Sequence, residues 1–303
     1  MRRSPSPRCA ELALAALLFG APVAACPCGA PSGAFPAWTA LDERVTVTAL
    51  AGYAGEVGSF DDRARAWPLP RDVAAHRVTL DLLAAWRPIA AVELSLGVAA
   101  AWSHASQPGV LAEGISLGDS AFRARWELPR GSSAGVPAAA LWLGARAPTG
   151  ERDPRANGLT SVGLGHWEAS LGGELSWSFG ARWTLSVGVE LGARAPATWD
   201  HVEVTPGPRV AALLLAVWRP SERVALSAGV TAWAELSPWV QGVREDPSVS
   251  HRVGPTVGAS WQALPALRVL ASAGIDPLVD GFGGNAAANV RATLGLSWAA
   301  LRD

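Results

Sequence analysis

The sequence predicts an all-β fold: a transmembrane antiparallel up-and-down β-barrel of about twelve strands, behind an N-terminal signal peptide. Three observations predict it. The 303-residue chain is half apolar and only 17% charged, whereas soluble proteins carry about a quarter charged residues. Beyond the N-terminus no run of roughly eighteen apolar residues occurs, so the apolar content is not gathered into membrane helices. It is spread instead over segments of about ten residues that alternate between apolar and polar, the pattern of strands with lipid on one side only.

The chain opens as a targeting segment. Arg2, Arg3 and Arg8 form a positive start, Leu12 to Phe19 an apolar centre, and Val23-Ala24-Ala25 a small-residue cleavage site, so residues 1–25 read as a secretory signal peptide. Val23-Ala24-Ala25-Cys26 also resembles the lipobox of bacterial lipoproteins, which implies a lipid on Cys26. Ordinary cleavage would leave Cys26 and Cys28 as a free or disulfide-bonded tail, and both readings stand. Residues 26–43, rich in Pro, Gly and Ser, form an expected periplasmic tail. The barrel is expected over 44–303.

Its strands are expected at 44–53, 76–86, 92–102, 116–128, 136–146, 166–179, 183–194, 209–218, 224–234, 251–261, 268–275 and 290–298. In the second, Val78, Leu80, Leu82, Ala84 and Trp86 oppose Arg77, Thr79, Asp81 and Leu83. A strict period of two gives a strand two different faces. A soluble sandwich alternates as well, but the tryptophans separate the two architectures. Trp86, Trp126, Trp177, Trp218, Trp261 and Trp298 each close a strand, at spacings of 40, 51, 41, 43 and 37 residues. Such a repeat places one Trp at the same level of every second strand, an aromatic girdle at a membrane interface. Short connections such as 87–91 and 180–182 alternate with longer ones such as 54–75, 147–165, 235–250 and 276–289. That is the order of periplasmic turns and outer loops. The last strand ends at Trp298, resembling the terminal aromatic strand that outer-membrane assembly machinery recognises, although five residues trail it here.

The polar face carries the candidate functional residues. Arg77, Asp81, Glu93, Asp119, Arg123, Arg125, Glu127, Arg146, Glu168, Glu174, Glu190, Arg194, Arg252 and Arg291 are expected to line the lumen. They either support the wall as ion pairs or tune a solute path. His76, His104, His166, His201 and His251 fall at outer strand ends or in an outer loop. Their spacings match no compact ligand motif, and neither a metal nor another cofactor is expected. His104 and Ser106 share a face, yet no acid is evident to orient the histidine, so the chain is not expected to be an enzyme. A net charge of −1 argues against a nucleic-acid surface.

One further pattern is local. Leu117-Gly118-Asp119 opens a strand, Ala147-Pro148-Thr149-Gly150-Glu151 ends the next, and Gly163-Leu164-Gly165 follows after a long loop. This resembles the family labelled "putative MetA-pathway of phenol degradation", outer-membrane barrels often called transporters, with Glu151 where the family has Asp. The resemblance implies passage of small solutes, hydrophobic or aromatic ones among them. Physically, Pro148 ends a ladder and Gly150 permits a sharp turn. The expected partners are the lipid bilayer, the assembly machinery and a small solute, and the expected location is the bacterial outer membrane. The alternatives are a non-transporting barrel serving as envelope structure or interaction surface and, behind it, an outer-membrane lipid hydrolase.

Overall fold

The computed structural model describes residues 43–128, 136–150, 165–180, 182–199, 202–244 and 249–301. The expected signal peptide, the tail with Cys26, and His201 lie outside these residues. Twelve strands form the barrel: β1 Glu43–Phe60, β2 Ala74–Ile89, β3 Val92–Gln107, β4 Ser120–Glu127, β5 Ala138–Ala147, β6 Glu168–Phe179, β7 Trp183–Arg194, β8 Arg209–Ser221, β9 Val224–Glu235, β10 Ser250–Leu264, β11 Leu267–Ile275 and β12 Ala286–Leu301. Each pairs antiparallel with its neighbours in sequence. β1 pairs with β12 from Glu43↔Leu301 to Phe60↔Ala286, which closes the sheet. Closure is what hydrocarbon demands, because an open sheet edge would leave backbone groups without partners.

The expected strands are all present, and several run further. β1 continues seven residues past Tyr53, to Phe60, and β3 five past Trp102, to Gln107. The outer strand ends rise beyond the apolar belt, where alternation with lipid no longer marks them. The segment expected as one strand over 116–128 is interrupted. Val110–Leu117 pairs with the outer half of β3, the chain breaks at Gly118-Asp119, and β4 then pairs with the lower half. The outer connections carry further strands. Ala66–Pro68 pairs with the top of β1. Ala197–Trp199, Val202–Thr205, Trp239–Val240 and Val243–Arg244 form a small separate sheet.

Alternation sorts the side chains. Leu80, Leu82, Leu96, Leu143, Leu171, Leu191, Leu214, Val257 and Leu294 are exposed on the outer face, a belt of apolar surface around the whole wall far beyond what a soluble protein tolerates. Trp86, Trp126, Trp218, Trp261 and Trp298 stand exposed on this face at the short-turn end, with Trp177 half-exposed. Trp183 stacks on Trp218, ring centroids 5.9 Å apart.

Candidate functional site

The inner wall is built from the other phase of the same strands. Arg77, Asp81, Glu93, Asp119, Arg125, Arg146, Glu168, Glu174 and Glu190 are buried there, and Arg123, Arg194, Arg252 and Arg291 are half-buried. They gather into distinct groups. Toward the outer end, Glu168 faces three arginines: Arg209 at 2.6 Å, Arg194 at 3.0 Å and Arg146 at 3.9 Å. Glu190 receives Arg209 at 2.8 Å, Arg123 at 2.9 Å and the Trp142 indole N–H at 3.0 Å. Arg194 continues to Glu235 at 2.7 Å. Register dictates this clustering, since Glu168 lies opposite Arg194, and Arg209 lies beside Gly192 and so between the two glutamates.

Nearer the short turns, Arg87 bridges Glu93 and Glu127, Arg125 pairs with Glu127 at 2.5 Å, and Glu174 accepts from Ser176. On the opposite wall Asp276 takes Arg291 at 2.7 Å, Arg252 at 3.6 Å and the Asn289 backbone N–H. Arg252 also lies over Trp233, 5.3 Å from the ring centre. Glu43 pairs with Arg268 beside the first strand. Buried charges persist only when paired and hydrogen-bonded in this way.

Arg87, Arg209, Glu43 and Asp276 are almost fully buried, yet none is among the charges that alternation assigns to the lumen. Arg87 and Asp276 fall in expected connections, and Glu43 in the expected tail. Arg209 opens β8, whose alternation is obscured because both of its faces are apolar. Inward from Arg209 come Ala211, Leu213, Leu215 and Val217, while Val210, Leu214 and Trp218 face out. The inner track is bordered by small or hydroxyl residues, Ser186 and Gly188 on β7 and Ser227 and Gly229 on β9, and by Trp233 opposite Ala211. Around β2–β7 the inner side chains are mostly buried. Around β8–β12 several are half-exposed, among them Leu213, Val217, Ser227, Ser260, Ser272 and Thr293.

The remaining candidates sit at the outer rim. His76 and His104 face outward from paired positions on β2 and β3, with His76 receiving or giving a hydrogen bond at Tyr53 Oη, 2.9 Å. An acid does stand by His104: Glu113, on the segment before β4, lies 3.7 Å from its Nδ1 and accepts from the Trp102 indole. The sequence hides it because the pairing of Val110–Leu117 with β3 falls where a loop is expected. In the loop after β1, Asp61 accepts from the backbone N–H groups of Arg65 and Arg63 and from the Trp67 indole. These bonds hold its carboxyl down at about 2.

The two halves of the Gly-Asp and Pro-Thr-Gly pattern meet. The Gly150 N–H donates to Asp119 at 3.1 Å, and the Ser120 N–H donates to Thr149 Oγ1 at 2.8 Å. A family model described as "Putative MetA-pathway of phenol degradation" matches residues 57–292. Among solved structures, an outer-membrane channel from Pseudomonas putida F1 is similar at a TM-score of 0.71 and 13% identity, over 88% of this chain and 99% of that one. The translocator domain of the autotransporter NalP from Neisseria meningitidis aligns at 0.49 and 12%, over 95% and 97%. The CymD monoaromatic hydrocarbon channel aligns at 0.46 and 10%, over 86% and 90%. No curated protein matches the sequence. The fold is that of the bacterial outer-membrane barrels.

Proposed function

This chain belongs to the family described as "Putative MetA-pathway of phenol degradation", and we propose that it is an outer-membrane channel for small solutes, hydrophobic and aromatic ones included. The observation that carries this reading is the inner face of β8. Where the inner faces of the neighbouring strands present Ser186, Gly188, Ser227 and Gly229, Ala211, Leu213, Leu215 and Val217 lay an apolar track from the outer arginines toward the short turns. The passage runs along β8–β12, where Ser227, Ser260, Ser272 and Thr293 are half-exposed below the Asp276 group, whereas the inner side chains of β2–β7 are mostly buried. Leucine and hydroxyl side chains together wet a narrow path without binding an apolar solute too tightly to leave. In this reading the six tryptophans anchor the inner rim in the membrane interface, and the buried charges on the β2–β7 side stiffen the wall. Transport also accords with the similar Pseudomonas barrel, itself an outer-membrane channel.

Proteoliposomes holding the mature chain should swell in isotonic solutions of small solutes. Leu213→Trp, which narrows the track, should slow swelling several-fold while leaving the folded barrel intact on heat-modified gel mobility. Absence of swelling with the unaltered chain would refute a channel.

A further inference from the structure

The outer arginine cluster leaves donors unused at its centre. Arg123, Arg146, Arg194 and Arg209 converge on Glu168 and Glu190. Arg209 lies between the two carboxylates and is only 2% exposed. Both of its ion pairs use Nη2. Its Nε and Nη1 are buried and have no hydrogen-bond partner among the described residues, and the same holds for Nη2 of Arg194. Unmatched buried N–H groups on a cation are costly. Arg209 lines a small cleft in the wall together with Arg123, Arg146, Glu168, Ser170 and Glu190. Directly below Arg209 on the same inner face runs the apolar track Ala211, Leu213 and Leu215.

We propose that this cleft is a binding site for an amphipathic monoanion, a small carboxylate whose oxygens meet Arg209 and whose apolar body extends along Ala211 toward Leu213. The site deepens the channel reading, on which it rests, by naming the class of solute that the lumen holds. Arginine suits the role because its fixed planar donors match carboxylate geometry. A leucine track below it excludes small hydrated anions from the full set of contacts.

Equilibrium binding to the full barrel in detergent tests the site without relying on transport. Titration calorimetry with sodium benzoate at constant ionic strength should give one site per chain. Benzamide, the uncharged counterpart, should bind at least tenfold more weakly, and chloride in equal excess should not displace benzoate. Arg209→Gln should abolish binding. Leu213→Ala, which leaves every ion pair in place, should weaken benzoate but leave the weaker acetate unchanged, so the test survives even if the arginine variant fails to fold. Equal binding of benzamide, displacement by chloride, an unaffected Leu213→Ala variant or no benzoate binding at all would each overturn the proposal. A barrel that conducts but binds no benzoate contradicts this site alone. One that binds benzoate but passes no solute contradicts the channel reading alone.

Discussion

At the scale of single residues, the inner wall depends on large groups resting on glycine. The Trp142 ring lies against Gly172, where any Cβ would run into the indole, and from there its N–H reaches Glu190. Arg123 stacks over the same ring, 5.1 Å from its centre. Adding one methyl by Gly172→Ala must displace the ring, and overpacking of this kind costs about 1–3 kcal/mol. Urea unfolding of the barrel in lipid vesicles should show that loss, together with a blue- or red-shifted Trp emission. An unchanged midpoint would mean that the ring has room to spare. The sequence offers Arg123, Glu190 and the glycines individually but not this assembly, because partners across strands follow from register, which no local pattern records. Arg209 is the sharper case. On a strand apolar on both faces nothing tells which phase points inward, so the most deeply buried outer arginine cannot be assigned to the lumen by alternation.

At the scale of elements, period-two alternation identifies all twelve strands because lipid enforces it wherever a strand crosses the apolar belt. It loses them above the belt, where β1, β3 and the Val110–Leu117 segment extend into water and their composition is set by local pairing instead. The short Gly-Asp and Pro-Thr-Gly pattern is legible as sequence, but its purpose is not. It locks the end of the β4–β5 ladder, since the last pair is Ser120↔Ala147 and the Asp119 and Thr149 side chains then cap the strand after it turns. Thr149→Val keeps the shape and removes two hydrogen bonds, each worth about 1 kcal/mol net. The expected result is a barrel that still folds but whose Ser120 and Gly150 amide hydrogens exchange with solvent faster. Equal exchange in both proteins would show that the lock is idle.

At the scale of the whole molecule, one closed sheet separates two solvents. The outer face is apolar on every strand, and the inner face carries ion-pair groups on both sides, with a mixed leucine–hydroxyl path along β8–β12. β8 presents leucine to both, with Leu214 exposed outward and Leu213 turned inward, so adjacent residues of the same type should sit in different media. The direct test places single cysteines at Leu213 and Leu214, in a background lacking the native cysteines, in reconstituted vesicles. A bimane label at Leu214→Cys should be quenched by nitroxide-bearing lipid and resist a charged aqueous thiol reagent. Leu213→Cys should react with that reagent and escape lipid quenching. Equal behaviour of the two positions, or aqueous reaction at 214 with lipid quenching at 213, would contradict a water-accessible lumen inside a lipid-facing wall.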